Sequence, residues 1–297
     1  MIRYLNNPQL LRSVLLAHFG HFLSDKTYLK LKWKNVMDYP LNLDNPITFN
    51  EKLQWLKLND RKPIYNQMVD KYEAKLYVAE KLGKQFIIPT LGVWNDIEEI
   101  DWDSLPERFV LKCTHDSGGL VICKDKAKLN IEKTKKILKQ SFRFNFYMAG
   151  REWPYKDVPR RIIAEKYMED SSNQELSDFK IHCFNGTPKV ILVCRDRFSK
   201  TGLTEDFYDT QWNHLEIRRL EHPNTEVPIE KPEELDMMLD YAKKLSYGIP
   251  FLRVDFYIVN HKIYFGELTF YPATGMSPFI PHKWDEIFGS WIILPKI

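Results

Sequence analysis

The sequence predicts an α+β protein, a helical N-terminal region followed by two mixed lobes, and three observations carry that expectation. Helical patterns dominate up to residue 82, after which strands and helices mix without the regular βαβ alternation of a parallel sheet. Residues 177–184 and 188–195 flank Asn185-Gly186, a two-residue turn signal that makes them an antiparallel hairpin. Arg253-Val254-Asp255-Phe256-Tyr257 and Phe265-Gly266-Glu267-Leu268-Thr269 read as two further apolar strands, each carrying one acidic residue. They are joined by the turn-like Val259-Asn260-His261-Lys262.

The elements follow in chain order. Leu10 to Phe22 is a helical run. Thr48, three residues before Glu51, forms a capping box that opens a helix continuing through Trp55, Leu56 and Leu58. Residues 70–82 repeat a helical pattern and stop at Gly83, a natural C-terminal cap. Short strands at 89–94 and 108–113 come next, and the second returns through the polar turn Thr114 to Gly119 into a strand at 120–124. A lysine-rich helix spans 131–146, and an apolar strand at 161–168 ends in acidic residues. Residues 232–245 form a helix with Glu233, Glu234 and Asp236 early and Lys243 and Lys244 late, as the helix dipole favours. On this reading 1–65 is the helical region and 66–297 holds the lobes, the first over about 86–165 and the second over about 166–297.

Composition bounds the function classes. A chain of 297 residues is long enough for two domains or one large two-lobed domain. With 44% hydrophobic and 28% charged residues it is an ordinary folded protein, and a net charge of +3 argues for no nucleic-acid partner. Cys113, Cys123, Cys183 and Cys194 lack CxxC spacing and read as buried thiols of a reducing compartment. The apolar run at 10–23 is interrupted by Arg12, His18 and His21, too short and polar for a membrane span and a poor signal peptide. The expected location is therefore the cytoplasm. Lysines crowd 124–143; a solvated face is the plain reading, and a peripheral contact with anionic lipid or a polyanionic glycan is the sharper one. Asp101-Trp102-Asp103 is a D-x-D of the kind found in metal-dependent glycosyltransferases, but the nucleotide-binding unit around such a motif is missing.

Several segments carry candidate chemistry. Asp255 and Glu267 lie among core-type residues, where a carboxylate costs several kcal/mol unless a cation or dense hydrogen bonding offsets it. Antiparallel pairing brings the two to one end of a hairpin, where Mg²⁺ could bridge them to phosphate oxygens. Neutralisation by Arg253 and Lys262 is the plainer alternative. Lys112 ends a buried strand and is followed by Ser117-Gly118-Gly119, whose N–H groups offer donors to phosphate, although the spacing is not that of a P-loop. The run Ile162 to Glu169 passes from strand to linker. Its backbone could mimic base pairing toward an adenine, with Tyr167 and Met168 as apolar cover. Period-two alternation puts Asp178, Lys180 and His182 on one strand face.

The order of these segments is more specific than any one of them. Asn45-Pro46-Ile47-Thr48-Phe49-Asn50-Glu51-Lys52-Leu53-Gln54-Trp55, Val69-Asp70-Lys71-Tyr72, Val110-Leu111-Lys112-Cys113, Cys183-Phe184-Asn185-Gly186, Arg253 to Tyr257 and Phe265 to Phe270 follow one another in this order. Together they resemble the TupA-like ATP-grasp family, found among teichuronopeptide, capsule and exopolysaccharide biosynthesis proteins. The resemblance runs from about Tyr28 to the C-terminus. It implies two lobes clasping ATP, and an ATP-dependent carboxylate–amine ligase that forms an amide through an acylphosphate. The substrates it implies are a small-molecule carboxylate and an amine, one of them a sugar, glycan or lipid-linked precursor and the other an amino acid.

By the same resemblance, Lys71 and Lys112 hold the α- and β-phosphates, and Ser117, Gly118 and Gly119 belong to the loop that closes over ATP. Glu165 and Lys166, with the backbone of Tyr167 and Met168, hold the adenine, and either Glu169 or Glu175 takes the ribose. Lys180 reaches the γ-phosphate, Asp255, Glu267 and Thr269 ligate Mg²⁺, and Arg253 stabilises the transferring phosphoryl group or the later oxyanion. Three positions depart from the wider ATP-grasp pattern. Thr269 stands where most such enzymes have Asn, and Thr114 and Asp116 stand where Asn and Gly are expected.

Overall fold

The computed structural model describes residues 8–116, 118–171, 176–195, 202–220 and 222–296. Strands β1 (Thr90–Trp94), β2 (Phe109–Cys113), β3 (Leu120–Cys123) and β4 (Ile162–Lys166) form a four-stranded antiparallel sheet in the order β1-β4-β2-β3. A larger antiparallel sheet is built from β5 (Asp178–Phe184), β6 (Thr187–Arg195), β7 (Thr204–Asp209), β8 (His214–Leu215), β10 (Phe251–Val259) and β11 (Lys262–Thr269). Its order is β11-β10-β5-β6-β7-β8, and β9 (Arg218–Arg219) pairs separately with β12 (Phe279–Ile280).

Helices surround both sheets. They are α1 (Pro8–Phe19), α2 (Asp25–Met37), α3 (Phe49–Asn59), α4 (Ile64–Val69), α5 (Glu73–Leu82), α6 (Ile131–Arg143), α7 (Phe146–Gly150), α8 (Leu235–Leu245) and α9 (Lys283–Trp291). No described helix is long and apolar enough to cross a membrane. All four cysteines are buried and unbridged.

Local chemistry explains several boundaries. The Thr48 hydroxyl accepts from the Glu51 N–H at 3.2 Å, and the Glu51 carboxylate accepts from the Thr48 N–H at 3.1 Å, completing the predicted capping box. Asn185 and Gly186 have φ of 48° and 78°, the paired positive values that a tight hairpin turn requires. The helix expected over 70–82 begins only at Glu73. Asp70 sets that start: its Oδ1 accepts from the N–H groups of Tyr72 (2.8 Å) and Glu73 (3.1 Å) and so caps α5 from outside. Lys71 is thereby left off the helix. The strand expected to reach 168 ends at Lys166, and the helix expected to reach 146 ends at Arg143, with α7 beginning afresh.

Three cores hold the described residues together. The small sheet packs Phe109, Leu111 and Ile162 against Leu138 of α6. Tyr28, Leu29 and Trp33 of α2 form a separate cluster with Met276. The largest core runs from both faces of the large sheet into α3, α4, α5, α8 and α9, and Phe49 of α3 lies against Phe184, Phe251, Phe279 and Phe288. The boundary drawn between residues 65 and 66 thus falls inside α4. Because Phe49, Leu53 and Leu56 are buried with the large sheet, packing gives no break there.

Candidate active site

The pairing of β5 with β10 sets the second lobe's charged face. Asp178 lies opposite Tyr257, Lys180 opposite Asp255 and His182 opposite Arg253, and period-two alternation points all six to one side. Arg253 donates from Nε to Asp255 Oδ1 (2.7 Å) and from Nη2 to Asp255 Oδ2 (2.6 Å), a bidentate pair. The same Nη2 also donates to Glu267 Oε1 at 2.7 Å. Lys180 donates to Asp255 Oδ2 at 2.7 Å and to the Asp178 carboxylate. Burial alone would raise the Asp255 pKa, but Arg253 and Lys180 outweigh it and hold the carboxyl below its usual range. Burial likewise works against the Lys180 ammonium, and Asp255 and Asp178 reverse it, so that pKa is raised.

Glu267 differs from Asp255 in being open to solvent, with 46% of its side chain exposed against 1%. The hydroxyl of Thr269 donates to its Oε1 at 3.1 Å. A bulge between Val254 and Phe256 shifts the β10–β11 register beside this pair. It falls at Gly266, where a Cβ would meet the Asp255 carbonyl oxygen and the Tyr257 ring, each at 3.1 Å, so a side chain there would push the strands apart.

In the first lobe Glu165 of β4 is buried between two lysines, Lys75 of α5 and Lys112 of β2, each 2.5 Å from one of its oxygens. Burial pushes this carboxyl up, but Lys112 and Lys75 prevail and bring it down from 4.5 to about 2. Lys75 also donates to the Ile88 carbonyl at 2.8 Å and is almost wholly buried, whereas Lys112 keeps 24% of its side chain exposed. The Lys71 pKa is lowered by burial, while Glu267, Asp116 and Lys112 also act on it. The Tyr257 hydroxyl is pushed well above its ordinary pKa by Asp178, burial, Glu267, Asp255 and Glu165.

The glycine turn is tied to its own lobe. Lys71 Nζ donates to the carbonyls of Cys113 (3.1 Å) and Asp116. Asp116 accepts from the Gly119 N–H at 3.2 Å and from the Ser141 hydroxyl of α6. The departure at Asp116 is thus an internal brace, buried against α6, and in this arrangement the Gly119 donor is used within the turn. Gly118 is exposed and only Asp116 lies near the space a Cβ would take. Ser117 falls outside the described residues, as does Glu175.

Beyond Glu165, the Lys166 N–H donates to the Pro89 carbonyl at 2.9 Å, and the chain then leaves the ladder. The main chain of Tyr167 and Met168 is consequently not paired within a sheet, which suits a base-mimicking linker. The Tyr167 ring lies under Arg108 and Lys124, and Arg108 also donates to Glu169 at 2.6 Å in an exposed ion pair. Lys75 and Tyr257 are not singled out as site residues by the sequence. The signal for Lys75 was a lysine on the apolar face of a helix, four residues after Lys71.

Two other sequence features stay away from this cleft. Asp101 accepts from the Ser104 N–H at 3.2 Å, which makes the D-x-D part of a tight turn. On the lysine-rich segment, Lys135 and Lys139 pair with Glu98, Lys128 pairs with Asp125, and Lys126 donates to the carbonyls of Asp103 and Leu105.

The donor set fits Mg²⁺ held jointly with phosphate. Among the described residues no three His, Cys, Asp or Glu side chains form a cage for a metal ion. Mg²⁺ typically takes one or two carboxylates and completes its shell with water and phosphate oxygens. Glu267 offers an exposed carboxylate for that, with the Thr269 hydroxyl next to it and Asp255 behind.

Two antiparallel sheets, each carrying a buried charged triad, fit the two lobes expected of an ATP-grasp protein. A model of the TupA-like ATPgrasp family matches residues 51–293, and the chain belongs to that family. Among solved structures it is similar to a D-alanine–D-alanine ligase from Bacillus anthracis (17% identity over 82% of this chain and 65% of that one, TM-score 0.42). It is also similar to the same enzyme from that organism complexed with ATP (15%, 68% and 53%, 0.40) and to a phosphoribosylamine–glycine ligase from Thermotoga maritima (15%, 71% and 50%, 0.41). The chain thus spans about half to two thirds of the length of these structures. No curated protein matches the sequence.

Proposed function

We propose that the chain is an ATP-dependent carboxylate–amine ligase that forms an amide by way of an acylphosphate. One arrangement supports this best. In the first lobe two lysines share one carboxylate, Lys75 and Lys112 on Glu165; in the second, two carboxylates share one guanidinium, Asp255 and Glu267 on Arg253. The first group carries surplus positive charge suited to phosphate, and the second surplus negative charge suited to a divalent cation.

In this reading Lys112 and Lys71 draw the ATP phosphates toward the first lobe, and the Tyr167–Met168 main chain receives the adenine. Glu169 is the candidate for the ribose, since its exposed pair with Arg108 exchanges at little cost. Asp255, Glu267 and Thr269 hold Mg²⁺, which when bound neutralises charge on the transferring phosphoryl group. Lys180 and Arg253 orient that group and the substrate carboxylate. A carboxylate oxygen attacks the γ-phosphorus and ADP departs; an amine then attacks the acyl carbon, losing a proton as phosphate leaves. The family resemblance adds that one substrate is a glycan or lipid-linked sugar precursor and the other an amino acid. By extension we propose that the reaction serves cell-surface polysaccharide biosynthesis, in the cytoplasm at the inner face of the membrane.

The test is ADP release from ATP and Mg²⁺, screened against candidate acids and amines with mass detection of the product. An amide formed with one ADP per bond is the expected outcome. Binding of nucleotide-sugar without ATP would point to glycosyl transfer, and ATP binding without turnover under any pair to a non-catalytic protein.

A further inference from the structure

The N-terminal hairpin of α1 and α2 exposes what a folded chain usually hides. Phe22 is 78% exposed, Phe19 60% and Leu15 47%, and Leu15 and Phe19 share one face of α1. The helices are fixed to each other: Asn35 of α2 donates to the Gln9 carbonyl at 3.1 Å and to the Ser13 hydroxyl at 2.8 Å. The apolar side chains are therefore displayed on a packed element.

Charge is concentrated on the same hairpin. Residues 8–38 contain five cations and two acids, a net of +3 that equals the formal charge of the whole chain. No acid occurs between residues 8 and 24. Lys26, Lys30 and Lys34 fall at helical spacing along an exposed face of α2, while Asp25 is turned inward to Arg61 and Tyr147. By contrast, four of the lysines at 124–143 already have the carboxylate or carbonyl partners described above. Exposed aromatic and aliphatic side chains on the same hairpin as a row of solvent-facing lysines, of which Lys34 also donates to the Asp38 carbonyl at 3.0 Å, match a surface that is apolar below and anionic above.

We propose that the α1–α2 hairpin docks the protein on an anionic phospholipid bilayer, with Leu15, Phe19 and Phe22 entering the interface and Lys26, Lys30 and Lys34 meeting the headgroups. This stands apart from the ligase reading, because vesicle binding is measured without ATP. The full chain is sedimented with vesicles of phosphatidylcholine alone or of phosphatidylcholine mixed with anionic phosphatidylglycerol, whose negative surface potential attracts basic segments. Binding to the anionic vesicles only is expected, falling about tenfold or more in F19S/F22S and losing its lipid-charge and salt dependence in K26E/K30E/K34E. All five substituted side chains are exposed, so circular dichroism and melting temperature should match the parent and certify the fold. No sedimentation with anionic vesicles, or sedimentation unchanged in both variants, overturns the proposal. So does self-association that F19S/F22S abolishes while vesicles are ignored, which would make a second copy the occupant.

Discussion

The two charged triads, one in each lobe, are built to opposite recipes. Lys75–Glu165–Lys112 has its carboxylate sealed at the centre and one lysine, Lys112, reaching the opening. Asp255–Arg253–Glu267 has its cation at the centre and one carboxylate, Glu267, reaching the opening. Each buries the group that would be expensive alone and presents the group a ligand can use. The comparison teaches that burial, more than charge, separates the structural member of each triad from the working one.

The second-lobe triad gives the largest expected effect. Asp255→Asn leaves Arg253 and Lys180 buried with one formal partner fewer, a change that typically costs about 3–5 kcal/mol. ATP turnover should fall about 100-fold or more, and the melting temperature should fall with it. Glu267→Gln should lose turnover on the same scale while the melting temperature holds, because Glu267 is exposed. Turnover and calorimetry on both variants check this. Equal destabilisation by the two would erase the distinction between sealed and open carboxylates, and full activity in either would remove it from the metal site.

The first-lobe triad predicts an acid response. The Glu165 carboxyl lies at about 2 in the fold and at 4.5 when free. A depressed carboxyl adds stability that is fully present above the free value and fades as pH falls through the folded one. The window is therefore pH 4.5 down to 2, and the size about 3 kcal/mol. Glu165→Gln should be destabilised at neutral pH by a comparable amount and should lack that part of the acid slope. Denaturant melts from pH 6 to 2.5 on both proteins make the measurement; parallel curves would show that the two lysines are not the source of the low pKa.

How much of this was legible in the sequence depends on how local the cause is. The capping box at Thr48 and Glu51 and the turn at Asn185-Gly186 are settled by residues a few positions apart, and both could be read directly. Asp255 and Glu267 could be singled out because a carboxylate in an apolar strand is anomalous by itself. Lys75 leaves only the weaker sign of a lysine on the apolar face of a helix, because its partner Glu165 comes from a distant strand and only the fold brings them together. The bulge at Gly266 left a trace in the glycine, but its effect on register needs the neighbouring strand. Strands β7, β8 and β9 are short and carry polar residues at half or more of their positions, so alternation was too weak to show them.

A smaller test divides the lysines of the first triad. Lys75→Met removes a buried cation that also serves the Ile88 carbonyl, so stability should drop by about 2–3 kcal/mol. Lys112→Met leaves Lys75 on Glu165, so it should cost less stability but raise the KM for ATP about tenfold, the effect of losing one charge-assisted contact to phosphate. Nucleotide titrations and thermal melts on the two variants separate the roles. If Lys75→Met raised KM more than Lys112→Met, the open member of the triad would be misassigned.

Thr269 gives the smallest effect and the finest cut. Its hydroxyl donates to the oxygen of Glu267 that Arg253 already holds, so it contributes a second donor to a group with a strong first one. Thr269→Val keeps the shape and the strand preference and removes only that donor, which should cost about 0.5–1 kcal/mol. If Thr269 acts only by orienting Glu267, the variant should lose about two- to fivefold in turnover at saturating Mg²⁺ and keep its Mg²⁺ dependence. If the hydroxyl ligates the metal itself, the Mg²⁺ concentration for half-maximal turnover should rise instead, and Thr269→Asn should restore it. Magnesium titrations of the three proteins decide between the two, because only a ligand moves the metal requirement while a neighbour of a ligand moves the rate.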